Sequence, residues 1–210
     1  GEPGAYRRFR AAMADLGAPV CALPGNHDDR AAFRDAFAPD GYLPASGPLD
    51  FELQFGDLLA LCVDSTIPGA PGGEIGAARR ATLEARIARH DGPAALFLHH
   101  PPLALGIGHM DRQRLADGPA LAALSARRPT LRLVACGHVH RMMVGRIGDA
   151  PLIVAPAPAH AVRLDLRRGG AADFMLEPGA VLVHRWDGAA DPVSAQSFID
   201  AHPGPFPFFA

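Results

Sequence analysis

Residues 20–30 read VCALPGNHDDR, an apolar run that ends in an amide, an imidazole and two carboxylates. Pro24, Gly25 and Asn26 are residue types that suit the dihedrals of a tight turn, so a polar turn accounts for much of the stretch. It does not account for His27. PVCAL, residues 19–23, reads as a short buried strand. In an α/β sheet the carboxyl ends of strands gather on one edge, where loops assemble a site.

Two more segments have the same build. The run AALFL leads into HHPP at 99–102, and LRLVAC leads into GHVHR at 137–141. His138 and His140 stand two apart, so in extended backbone both imidazoles project from one face and can share a metal centre. A lone His-x-His pair is a weak signal. Three His-bearing strand ends beside an Asn make a stronger one, because neutral imidazole is the commonest protein metal ligand and an amide oxygen is a hard donor suited to Mn, Fe or Zn.

Outward from these segments, apolar spacing predicts helices over 5–16, 29–37, 74–90 and 111–127, the last capped by Asp111. DFELQFGDLLALCVD reads as two strands turning at Gly56 and Asp57. From residue 142 onward the pattern changes to short strands in MMVGRI, PLIVA, AVRLDL, DFMLE and AVLVHRW. The expectation is an α/β fold of two packed mixed β-sheets flanked by helices, in a single domain spanning 1–210 with 191–210 as a C-terminal tail. The tail carries Phe206, Phe208 and Phe209, rings expected to pack on this subunit or on a partner.

Composition removes several classes of function. The 210 residues are 49% hydrophobic and 20% charged, which is a folding balance and not a disordered one. A net charge of −2 supplies no broad basic field for a nucleic-acid polymer. All 20 basic residues are Arg, which excludes Schiff-base, pyridoxal and phosphate-loop lysine chemistry. Cys21, Cys62 and Cys136 lack CxxC spacing and read as reduced thiols of a cytoplasmic protein. No apolar run approaches the ~20 residues of a membrane span.

GNHD, HHPP and GHVH, in that order, resemble the motifs of calcineurin-like metallophosphoesterases. GHVHR followed by VAPAPAHAVRLDL is similar to the branch containing class III cyclic-nucleotide phosphodiesterases and glycerophosphodiesterases, and the likeness runs from GEPGAYRRFR to about residue 190. The resemblance implies two divalent metal ions (Mn, Fe or Zn), with Asn26, His99 and His138 on one and His140 on the other. His27 would stand outside the metals and donate to the phosphoryl group or the leaving oxygen. Such a centre generates hydroxide at neutral pH and hydrolyses small phosphodiesters. A homo-oligomer is expected.

The family also carries an Asp-x-His pair and a Gly-Asp pair before GNHD, and residues 1–24 contain neither. The N-terminal strands and the bridging carboxylate are therefore expected to be missing. The alternative reading is a chain that keeps the fold without catalysis and serves in binding or assembly. Around the proposed ligands, His100 is expected to be hydrogen-bonded behind His99, while His109 and His160 line the pocket. Arg141 faces either a phosphate or a carboxylate, Asp28 and Asp29 cap a helix, and Asp64 is a candidate for a supporting role. His90 and His184 read as structural.

Overall fold

The computed structural model describes residues 1–188 and 191–208, so Phe209 of the aromatic tail lies outside the described residues. Helix α1 (Pro3–Met13) precedes the GNHD turn and α2 (Arg30–Phe37) follows it. Strands β1 (Phe51–Phe55) and β2 (Leu58–Val63) form one hairpin, and β3 (Thr66–Ile67) and β4 (Ala70–Gly73) a smaller one. Next come α3 (Ala77–Ala88), β5 (Ala94–Leu98), α4 (Gly108–Asp111), α5 (Gly118–Arg127) and β6 (Leu131–Cys136). The remaining strands are β7 (Met143–Ile147), β8 (Ala150–Val154), β9 (Ala161–Val162), β10 (Phe174–Met175), β11 (Ala180–Arg185) and β12 (Val193–Phe198).

Six strands make one mixed sheet in the order β1-β2-β5-β6-β8-β7. β2, β5, β6 and β8 run parallel, with antiparallel β1 and β7 at the edges. The parallel strands are apolar on both faces because both are covered. Leu96, Val134 and Leu152 pack under Leu83 and Ile87 of α3 and Leu121 and Leu124 of α5. On the opposite face Ala95, Leu133, Ala135 and Ile153 meet Leu182 of β11, so the second sheet of the expected pair is here a two-stranded β11–β12 hairpin. Each fully buried Leu in such a core contributes about 1.5–3 kcal/mol. The parallel order brings the C-terminal ends of β2, β5 and β6 side by side, and Ser65, His99 and His138 follow those ends.

A second, smaller core joins α1 to α2. Tyr6, Phe33, Phe37 and Leu49 are buried together, with the Tyr6 and Phe33 rings edge-on at 5.6 Å. Asp29 caps α2 through Ala32 N–H at 2.8 Å, whereas Asp28 closes the turn by accepting from Gly25 N–H at 2.8 Å and from the Tyr6 hydroxyl at 2.9 Å. Asp64, fully buried after β2, accepts from Arg30 at 2.6 Å, Leu49 N–H at 3.0 Å and Thr66 N–H at 2.9 Å. Through Arg30 it ties the helix behind GNHD to the central sheet.

Several local expectations are corrected. PVCAL belongs to no strand, since among the described residues no neighbouring strand offers it a ladder. The helix expected from 111 begins instead at Gly118, with Pro119 in its first turn, where the missing N–H costs nothing. Asp111 does not cap it; its carboxylate accepts from Leu105 and Gly106 N–H and closes the loop before α4. The strands read in AVRLDL and DFMLE shrink to β9 and β10, two residues each. The β3–β4 hairpin and β12 were not expected from the sequence. In the tail, Phe206 and Phe208 are exposed at 75% and 97%, so these rings do not pack on this chain.

Candidate metal centre

The three motifs meet at one edge of the central sheet. His99 Nε2 lies 3.0 Å from Asn26 Oδ1 and 3.1 Å from His138 Nδ1. A nitrogen carrying one N–H can satisfy only one of these neighbours, so at least one of the two contacts is not a full hydrogen bond. Ligand atoms held about 2.0–2.2 Å from one cation stand roughly 3 Å apart, and two imidazoles with an amide oxygen are a suitable donor set. Asn26, His99 and His138 therefore fit a divalent cation.

Local backbone delivers each side chain. Gly25 lies against the His99 ring: a Cβ there would come within 2.7 Å of His99 Cε1 and 2.9 Å of Nδ1. The GHVH segment is not extended, which corrects the one-face reading of His-x-His. His138 (φ 70°) and His140 (φ 56°) both occupy the left-handed region, at a cost on the order of 1–3 kcal/mol each. Val139, between them, is buried and anchors the turn. The left-handed backbone sends His138 inward to His99 and His140 outward, where His140 Nδ1 lies 3.1 Å from His160 Nε2.

His100 also comes in, because the chain bends after β5 and the alternation of faces ends there. Its ring centroid stands 4.8 Å from those of both His99 and His138. Both of its nitrogens are occupied. Nε2–H donates to the Pro71 carbonyl at 3.2 Å, which leaves Nδ1 to accept from the Ser65 hydroxyl at 2.8 Å. Although its nitrogen lies within 4.8 Å of those of His99 and His138, His100 has no lone pair free for a cation.

Electrostatics favour neutral rings. Burial, reinforced by neighbouring imidazoles, holds the His99 ring well below the ordinary imidazole range. Burial likewise pushes His138 and His100 down to about 4. His140 is lowered for the same reason. Neutral imidazole is the form that ligates, so the cluster is poised for a cation at neutral pH.

The cluster forms the floor of an open cleft of about 800 Å³. His27 is exposed on its wall, and His109, Gln113, His160 and Phe174 also line it. Other candidates lie elsewhere. Arg141 donates to the Val162 carbonyl at 2.9 Å and to Glu177 at 2.6 Å, the ion-pair option. Asp64 is occupied by Arg30 and backbone amides. His184 bonds Ser194 Oγ at 2.7 Å, and His90 bonds the Asp57 carbonyl at 2.8 Å. The bonds of Ser65 and Pro71 to His100, and the places of Gln113 and Phe174 in the cleft lining, escaped the sequence reading; the position of Ser65 at the strand end of CVDST, beside Asp64, was the available signal.

Residues 3–142 match the calcineurin-like phosphoesterase family. This chain belongs to that family. It is 32% identical over 209 residues to the glycerophosphodiester phosphodiesterase GpdQ of Enterobacter lignolyticus, covering 98% of this chain and 74% of that protein. It is also 32% identical over 190 residues to a cAMP/cGMP dual specificity phosphodiesterase of Mycobacterium tuberculosis, covering 88% of this chain and 58% of that one. A Staphylococcus aureus structure described as a 5'-nucleotidase superposes with a TM-score of 0.50 at 13% identity, over 99% of this chain and 45% of that chain, and bears on the fold alone. No helix among the described residues is long and apolar enough to cross a membrane.

Proposed function

We propose that this calcineurin-like phosphoesterase chain is a metal-dependent phosphodiesterase acting on small diesters of the glycerophosphodiester or cyclic-nucleotide type. The observation that carries the reading is the approach of Asn26 Oδ1, His99 Nε2 and His138 Nδ1 to within 3.0–3.1 Å at the floor of the cleft. Both kinds of relative bear phosphodiesterase names.

In this reading Asn26, His99 and His138 hold one divalent cation, Mn, Fe or Zn, and His140 contributes to a second. Bound cations of this kind neutralise phosphoryl oxygens and acidify water. The chain's own residues supply orientation and a proton. His27, exposed on the cleft wall, donates an imidazole N–H to a phosphoryl oxygen or to the departing oxygen. His160 holds His140 Nδ1, while Gln113 and Phe174 border the space for the ester substituents. Among the described residues that line the cleft none is Arg, and the chain has no Lys, so no fixed side-chain cation belongs to that lining. A diester monoanion asks less of such a wall than a monoester dianion.

The test is a panel of glycerophosphodiesters, cyclic nucleotides and a phosphomonoester, assayed with Mn²⁺ and with chelator. Hydrolysis of a diester that Mn²⁺ supports and chelator abolishes is the expected result. Rates equal in chelator and Mn²⁺, or hydrolysis of the monoester alone, would overturn the proposal.

A further inference from the structure

We infer that Ser65 and His100 form a positioning pair, clamped by the β3–β4 hairpin, that fixes the rings of His99 and His138 for cation binding. The inference rests on the metal-binding reading above and concerns two side chains that have no direct place in it.

Four observations converge. His100 is fully buried, and its two ring nitrogens bond opposite ends of one hairpin: Ser65, immediately before β3, at Nδ1 (2.8 Å) and the Pro71 carbonyl, in β4, at Nε2 (3.2 Å). The bond to a carbonyl fixes the tautomer, because a carbonyl only accepts. The Ser65 hydroxyl also accepts from the backbone N–H of His100 at 3.3 Å, so one side chain holds both the ring and the main chain next to His99. The ring so fixed stands edge-on to His99 at 88° and tilted to His138 at 54°, both at 4.8 Å. Finally, residue 73 is Gly, where a Cβ would fall 2.3 Å from His100 Nδ1. The hairpin thus approaches the ring as closely as backbone allows.

The physical consequence is a restriction of rotamers. An imidazole ligand binds only when its lone pair points at the cation, and a ring free to turn about χ1 and χ2 must lose that freedom on binding. Here the loss is already incurred on folding, because one locked ring blocks two ligand rings at once. Groups that orient metal ligands from behind typically change affinity 10–100-fold when removed.

Equilibrium dialysis against Mn²⁺ alone tests the pair without reference to turnover. Ser65→Ala should weaken Mn²⁺ binding about tenfold or more, with the far-UV circular dichroism spectrum unchanged. The Co²⁺-loaded variant should show altered d–d absorption, because ring orientation has changed. Ser65→Cys, which keeps a weak donor at nearly the same place, should recover part of the loss. Ile147→Val, a buried core change away from the cluster, controls for general destabilisation and should bind as wild type does. If Ser65→Ala does not fold, His100→Asn replaces it, keeping an acceptor for Ser65 while losing the ring and the Pro71 bond, and the same loss is expected. Wild-type affinity in Ser65→Ala, or in a folded His100→Asn, would overturn the positioning role while leaving the metal site intact. Equal losses in Ser65→Cys, Ser65→Ala and the Ile147→Val control would overturn it as well. Failure of the wild-type chain itself to bind Mn²⁺ would instead overturn the functional reading beneath it.

Discussion

The two imidazole pairs of the cleft are built differently. His99 and His138 are packed from behind: Gly25 lies on one ring, buried His100 stands against both, and Ser65 and Pro71 hold His100 in turn. His140 and His160, also 3.1 Å apart, lie further out, with Phe174 edge-on to His160 and 65% exposed. The inner pair has its geometry imposed by the central sheet. The outer pair is held by a left-handed turn and by the short β9–β10 hairpin. Side chains delivered by strand ends of a packed sheet hold their geometry more closely than side chains delivered by loops.

Perturbing the support of the inner wall should have the largest effect on stability. Asp64→Asn leaves Arg30 without its carboxylate and should destabilise the fold by about 3 kcal/mol, measured by urea unfolding. The same variant has a pH signature. Burial pushes the Asp64 carboxyl up, but the bonds from Arg30, Thr66 and the Leu49 amide outweigh it and hold the group below its ordinary value. Its stabilisation is therefore fully present above the unfolded-state value of about 3.9 and is lost as pH falls through the lower folded-state value. Asp64→Asn should flatten that acid limb of the stability curve. An unchanged limb would mean that Asp64 is not the clip joining α2 to the sheet.

A smaller and more local effect should separate two glycines of the inner wall. At Gly25 an added Cβ meets the His99 ring at 2.7 Å, whereas at Gly137 it stands 3.7 Å from His99 Nδ1, an ordinary contact. Gly25→Ala should turn the His99 ring and weaken Mn²⁺ binding about tenfold. Gly137→Ala should bind within roughly twofold of wild type, since nothing is displaced. Equal affinities for the two variants would show that the His99 ring is less confined than its surroundings indicate.

The same division explains what could be read from the sequence. The inner wall was legible because it follows strands: AALFL, LRLVAC and their polar termini mark β5 and β6, and parallel pairing brings their ends together whatever the loops do. Helices α1, α2 and α3 were legible from apolar spacing. Features that depend on partners remote in sequence were not. PVCAL has strand composition but no ladder among the described residues, and AVRLDL has alternation that β9 uses for only two residues. The turn that sends His138 and His140 apart places non-glycine residues at positive φ, where local propensity points the other way. The hydrogen bond from Ser65 to His100 spans 35 positions and leaves no periodic trace. Gly118-Pro119 carries the start signal for α5, because Pro is favoured in a helix's first turn, whereas the cap expected at Asp111 serves the preceding loop instead.

The central claim is that Asn26, His99 and His138 of the inner wall hold one divalent cation without help from His160 of the outer wall. Equilibrium dialysis of Mn²⁺ against the wild-type chain, His99→Ala and His160→Ala tests it most directly. The account predicts at least stoichiometric binding by the wild type, loss of that cation in His99→Ala, and its retention in His160→Ala. Binding by His99→Ala equal to wild type, or loss in His160→Ala alone, would contradict it.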